Sequence, residues 1–402
     1  MVICEKEKCT GCMSCVNICP RGCISMVSDN RNILHPSVDT DKCVNCQKCV
    51  GVCPANKPTE EIANEPLEAY AACEKDLSSR KTSSSGGIAA SFYRKVQSMG
   101  GICYGAAFDS DLKLTVHSAC NEEQISEFKG SKYTQAYIGG AYKEIRKNLQ
   151  DCKQVIFIGT PCQVAGLKTF LGNNENDKLI TVDLICHGVP SQHYLREHCD
   201  HIAKTKKINK DDISKITFRG ENDWFLSLYD KNSKLLYSCN RFEDTYFLGF
   251  LRGLFYRESC YSCKYACSKR VSDITIGDFW GLGESQVFDR ADRGKGVSAV
   301  LVNSEKGKEF FSSVCDVLRY EQREVSEAVA GNAQLKHPAP RNEKYDQFYQ
   351  SYETQGFEES ARQCLIQEIN ENIKKRRKNN FKNFFRIYKN KVISKIKRCV
   401  KG

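Results

Sequence analysis

Two twelve-residue segments constrain this chain more than anything else in it: CTGCMSCVNICP at Cys9–Pro20 and CVNCQKCVGVCP at Cys43–Pro54, offset by 34 residues. Each reads C-x2-C-x2-C-x3-C-P. Three closely spaced thiolates wrap one face of a four-iron cubane, while the x3 spacing and the proline send the fourth thiolate toward the neighbouring cluster. The pattern assigns Cys9, Cys12, Cys15 and Cys53 to one [4Fe-4S] cluster and Cys43, Cys46, Cys49 and Cys19 to a second. The competing reading is a pair of zinc sites. Those usually show two separated cysteine pairs, so a four-cysteine run occurring twice favours iron–sulfur. Cys4 and Cys23 lie outside the pattern and read as small core residues.

The cysteine count bears on the setting. A secreted chain with 24 cysteines is ordinarily a small disulfide framework, and this one is 402 residues long. Its opening, MVICEKEKCTGC, has no signal-peptide apolar stretch. No run of about 18 apolar residues suggests a spanning helix. The expectation is a reducing, cytoplasmic location in which cysteines bind metal.

The net charge of +11 is unevenly placed: residues 374–402 carry thirteen Lys or Arg and no Asp or Glu, and the rest of the chain is near −2. The body therefore offers no case for nucleic-acid binding. Within the tail, Phe381, Phe385, Tyr388, Val392 and Ile396 recur at three- and four-residue steps. An apolar face among cations suits peripheral contact with an anionic lipid surface at the inner face of the membrane. A solvated tail, or one docked on an acidic partner, is the alternative.

The expected fold class is α+β. A small N-terminal two-cluster domain (1–57) is followed by a Pro-rich acidic linker (58–68), a larger α/β domain with a mixed sheet (69–345) and a basic helical tail (359–402). In the larger domain Ile88, Phe92 and Val96 have helical spacing, and Leu112, Leu114 and Val116 alternate as in a strand. VIFIG, LITVDLIC, SDITIGDF and SAVLVNS read as buried strands, with AYKEIRKNLQDC and VAGLKTFL as helices between them. Such alternation argues for a layered α/β domain.

Three stretches of that domain carry chemistry. In VIFIGTPCQVAG, Cys162 stands on a turn at the end of a strand, where open α/β sheets place their sites. Cys186 in VDLICHGVPS is placed the same way. Cys260 and Cys263 form a C-x2-C pair before the strand SDITIGDF, with Cys267 as a fifth candidate. A lone cysteine is usually an inert buried thiol. Two strand ends and one pair together suggest a metal site, provided the strands are neighbours.

TSSSGGIAASF places Ser84, Ser85, Gly86 and Gly87 before a helix whose free N–H groups could hold a phosphate, or merely be capped by a serine. Lys132 and Tyr133, between glycines, suit an anion or flavin contact, or a surface hairpin. Thr160 joins them as a candidate cofactor contact. His187, one residue after Cys186, is a candidate proton donor, or a turn histidine.

The cysteine repeat followed by SSSGGI, FKGSKYTQAY, GTPCQVAGL, DLICHGVPS, CYSCKY and RVSDITIGDFWG, in that order, resembles the coenzyme F420 hydrogenase/dehydrogenase beta-subunit family over residues 1 to about 345. The resemblance implies an iron–sulfur flavoprotein in which FAD lies beside a third [4Fe-4S] cluster and exchanges electrons with a deazaflavin or similar acceptor. It places Cys162, Cys186, Cys260 and Cys263 on the family's cysteine positions, Cys267 on none, and segments 84–87 and 130–133 in its flavin region. Some bacterial members are linked to cell-surface polysaccharide functions. The expectation is thus an oxidoreductase that passes electrons among clusters, a flavin and a redox partner protein or small carrier. Its rivals are a non-catalytic electron adaptor without flavin and a redox or metal sensor.

Overall fold

The computed structural model describes residues 1–59, 62–172, 176–220 and 223–379, with a helical backbone continuing to Cys399. The apolar tail face expected at Phe381, Phe385, Tyr388, Val392 and Ile396 lies outside the described residues.

The cysteine repeat is also a conformational repeat. Gly11 and Met13 have φ of 67° and 62°, and their counterparts Asn45 and Gln47 have 52° and 57°. Left-handed backbone is uncommon for residues other than glycine. Here it turns the chain about each thiol set and leads into the short helices Ser14–Ile18 and Lys48–Gly51. Between the halves, β1 (Ile24–Ser28) and β2 (Leu34–Val38) pair antiparallel.

The remaining strands are β3 (Glu68–Glu74), β4 (Ile102–Phe108), β5 (Leu114–Ala119), β6 (Val155–Gly159), β7 (Leu179–Leu184), β8 (Lys215–Thr217), β9 (Phe225–Tyr229), β10 (Leu235–Asn240), β11 (Ile274–Asp278), β12 (Ser298–Val302) and β13 (Leu318–Arg323). Eight of them form one mixed sheet in the order β13-β3-β12-β11-β7-β6-β4-β5. β4, β6, β7 and β11 are parallel at its centre, and antiparallel strands flank them on both sides. The central strands are mainly apolar because both faces are covered, the buried Asp183 being paired with Arg270. Ile88, Phe92 and Val96 of the helix Ile88–Ser98 pack on one face. Val164, Leu167 and Phe170 of the helix Pro161–Leu171 pack on the other.

Register decides where the site falls. Gly159 lies opposite Asp183, and Leu184 opposite Ile276. The carboxyl ends of β6, β7 and β11 are therefore adjacent, and so are the turns that follow them.

Two features depart from expectation. A separate three-stranded sheet, β10-β9-β8, covers residues that the sequence reading did not assign. The helix expected over 359–402 is present, but it begins earlier, as Tyr345–Cys399 broken at Gly356 (φ 73°), and its part after the break packs into the core. Ala361, Cys364, Leu365 and Ile369 are buried against Tyr194, Tyr246 and Phe255. Among the described residues no helix is long and apolar enough to cross a membrane.

Candidate metal centres and cofactor cleft

The first thiol set gathers as the spacing predicts. Cys12 and Cys15 are buried, and both have Cys9 and Cys53 as charged neighbours. Burial pushes both thiols up, and the other thiolates of the set push them further. Cys9 is different: it is pulled down to about 3, first by hydrogen bonding with Cys4, then by His35 and by the Arg257 guanidinium. Cys53 falls to about 7, again chiefly through Cys4. Cys4 is therefore not core filler. It is a half-buried thiol hydrogen-bonded with two members of the set.

The second set is more open. Cys19, Cys43, Cys46 and Cys49 line one hollow with about 320 Å³ of empty space. Cys46 is exposed and Cys49 buried. Cys23 lines the same hollow with its Sγ 3.3 Å from that of Cys19. As expected it is also a small buried core residue, packed with Ile3 and Ile24.

The third set comes from sequence positions about 100 residues apart. Burial pushes the Cys162 thiol well up, and Cys186, Cys263 and Cys260 are the neighbouring thiols that add to this. Cys186 is raised to about 12 by burial, with Cys263 beside it. Cys260 is raised by burial with Cys186 and Cys263 as neighbours. Cys267 neighbours Cys263 but donates its thiol to the carbonyls of Lys264 (3.6 Å) and Lys269 (3.4 Å). The pair Arg270–Asp183, fully buried at 2.8 Å, fixes the cysteine loop: the guanidinium also holds the Tyr265 and Cys267 carbonyls. Among the described residues no three His, Cys, Asp or Glu groups are close enough to hold a single metal ion.

The sets are near one another. Tyr265, buried, has Cys162 and Cys263 of the third set and Cys12 and Cys53 of the first as charged neighbours. Tyr142 has Cys12 and Cys162. Ser14 Oγ donates to the Gly166 carbonyl at 2.7 Å, which ties the helix after Cys12 to the helix that carries Cys162.

Beyond the third set lies a cleft with about 1640 Å³ of empty space, partly open to solvent. Ser84, Ser85, Gly87, Lys132, Tyr133, Thr160, Cys186 and His187 all line it. Gly87, at φ 87°, is the N-cap of the helix Ile88–Ser98. Ser85 Oγ is buried without a hydrogen-bond partner, and so is Arg219 Nε. These unpartnered atoms face the requirement that buried polar groups be bonded, and a phosphate-bearing ligand in the cleft would meet it. Gly86 instead faces the sheet: a Cβ there would collide with the Ala72 carbonyl. Tyr133 packs against Phe250 with ring centroids 4.6 Å apart. Thr160 caps the Pro161–Leu171 helix, and its Oγ1 is 3.2 Å from Cys162 Sγ.

Lys132 departs from its expected role. It lines the cleft, but its ammonium donates to the Glu127, Phe128 and Lys129 carbonyls at 2.8 to 3.0 Å, closing the helix Glu122–Phe128, and burial pulls it down to about 7. His187 has an exposed side chain at the cleft wall but is desolvated by the surrounding protein, which pulls it below its ordinary value, with Asp278 opposing and Arg219 assisting. The sequence reading missed Arg219, Asp278, Trp224 and Trp280. Arg219 pairs with Asp278 at 2.7 Å and lies over Trp224 at 4.2 Å. Asp278 and Trp280 stood in the quoted SDITIGDFWG, but Arg219 and Trp224 had no such signal.

Residues 152–328 match the family model for the C terminus of the coenzyme F420 hydrogenase/dehydrogenase beta subunit, and residues 8–57 match a 4Fe-4S dicluster domain. The chain thus carries, in order, a segment similar to 4Fe-4S dicluster domains and one similar to the C terminus of that beta subunit. Comparison with curated proteins returns no match. Among solved structures, a chain of the F420-reducing [NiFe] hydrogenase complex from Methanosarcina barkeri is 17% identical, with a TM-score of 0.44, over 67% of this chain and 90% of that one.

Proposed function

We propose that the chain is an oxidoreductase subunit in which single electrons pass between an external redox partner and a flavin, FAD, bound in the cleft. The thiol sets hold three [4Fe-4S] clusters along that route. One observation carries the reading: Cys162, Cys186, Cys260 and Cys263 converge where Cys186 also lines the cleft. A flavin there would supply the exchange between two-electron and one-electron chemistry. The chain's own residues do the rest. The Gly87 helix start and Ser85 receive phosphate, Tyr133 and Trp224 present aromatic faces, and Arg219 offers a cation held in place by Asp278. His187, at the cleft wall beside Cys186, is positioned to move a proton. The carrier meeting the open side of the cleft is a deazaflavin of the coenzyme F420 class or a similar small acceptor.

Anaerobic purification with iron, sulfide and flavin quantification tests this. The expected result is about twelve iron per chain, four for each cysteine set, and one flavin released on denaturation. Clusters without flavin would turn the reading into that of an electron adaptor.

A further inference from the structure

Arg257 is fully buried, at 2% exposure, where the two domains meet. Its Nε donates to the Cys9 carbonyl at 2.6 Å and one Nη to the Leu34 carbonyl at 2.5 Å, while the other Nη reaches Gln135 Oε1 at 3.2 Å. The Nη bonded to Leu34 also stands 3.5 Å from Cys9 Sγ. Its charge is felt at both ends, by Cys9 of the first thiol set and by Cys260 of the third.

What sets it apart is the missing counter-ion. Two other arginines are as deeply buried, and each has a carboxylate: Arg270 pairs with Asp183 at 2.8 Å and Arg80 with Asp292 at 3.4 Å. Among the described residues no carboxylate pairs with Arg257. An uncompensated buried cation is strongly unfavourable. Carbonyl oxygens ease this but carry no net charge. The negative group the guanidinium touches is the Cys9 thiolate, 3.5 Å away.

We infer that Arg257 is the fixed counter-charge of the cluster held by Cys9, Cys12, Cys15 and Cys53, and that it raises that cluster's reduction potential above that of its N-terminal neighbour. The inference rests on the cluster assignment proposed above. Adding an electron makes the cluster more negative, so a buried cation on a ligand sulfur favours the reduced form, and low local dielectric enlarges the effect. Net charge and hydrogen bonds to sulfur are established determinants of cluster potential. The second set lines an open hollow whose cations, Arg21 and Lys48, are exposed, where solvent screens charge. Arg257 is a positioning residue, and the gradient it creates draws electrons from the exposed set toward the interior.

The test is a redox titration of the full chain, prepared anaerobically and followed by paramagnetic resonance, with iron counted in every sample. In Arg257→Gln the first cluster's one-electron reduction constant should fall at least tenfold, equal to about 59 mV, with iron unchanged. Arg257→Lys, which keeps the charge, should shift less. Ser259→Ala, which removes another bond to the Cys9 carbonyl, should not shift it. An unshifted potential in an iron-replete Arg257→Gln overturns the inference and leaves the cluster assignment standing. Should that variant fail to fold, Cys46→Ala decides, because it retains the first cluster alone of the N-terminal pair. The surviving signal must titrate above the one lost, and equality or reversal overturns the inference. An unaltered chain lacking the N-terminal iron overturns the assignment and the inference together.

Discussion

Thr160 and Gln163 hold the turn that presents Cys162: the Gln163 side chain accepts from the Thr160 N–H at 3.0 Å, and Thr160 Oγ1 lies against the thiol. Cys162 thereby faces the other three thiols of its set, whereas Cys267 faces backbone carbonyls. The two substitutions should separate cleanly. Cys162→Ser is expected to lower iron by about four atoms per chain, the content of one cubane, whereas Cys267→Ser leaves iron unchanged; parallel iron assays check both. Local spacing made the N-terminal ligands legible because neighbouring thiols in the chain are neighbours in space. Cys4 was not legible as a neighbour of the first set, since Cys53 is brought to it only by the crossing of the two halves, whereas Cys23 meets Cys19 only four residues away.

At the scale of elements, the C-terminal helix is fastened through one histidine. His198 lies between Asp244, 2.9 Å from Nε2, and Glu358, 2.8 Å from Nδ1. Asp244 also caps the helix Thr245–Leu251, so three helices meet at this ring. Burial alone would lower the His198 pKa; the two carboxylates outweigh it and raise it to about 10. The stabilisation is therefore complete below the unfolded value of 6.5 and fades as pH rises through about 10. His198→Ala leaves two carboxylates unpaired and should cost about 3–5 kcal/mol, read from denaturant unfolding at neutral pH. The gap between variant and parent should narrow in alkaline buffer. Sequence pattern foretold β6, β7 and β11 because each is a short, mainly apolar run bounded by turn signals. It missed β8, β9 and β10: β8 has only three residues and follows a lysine- and aspartate-rich stretch, and β10 is mostly exposed or half-buried. It read residues 359–369 as the start of a polar to basic helix, which they are, but their burial escaped it because charged neighbours outnumber the few apolar residues at helical spacing.

Over the whole molecule, the chain brings three thiol sets into succession, and the docking of the N-terminal unit decides whether they communicate. Gly166 allows that docking. A Cβ there would lie 2.7 Å from Ser14 Oγ and 2.9 Å from Cys12 Cβ. Gly166→Ala should cost about 1–3 kcal/mol by overpacking, measured by thermal unfolding, and slow electron exchange between the N-terminal clusters and the cleft. No spacing rule could reveal this contact, because Cys12 and Gly166 are joined only by tertiary packing. The unequal shelter of the sets has one more consequence, which concerns wear. Cys46 stands in the open while Cys12 is buried and Cys162 lies within the fold. Solvent-accessible thiol ligands are the ones oxidants reach first. In air the molecule should corrode from one end, shedding about four iron atoms in an early phase and the rest much later. A timed iron-release assay resolves the phases. A partly weathered sample would no longer accept electrons from its natural partner, yet would still turn over at the cleft with a small artificial donor.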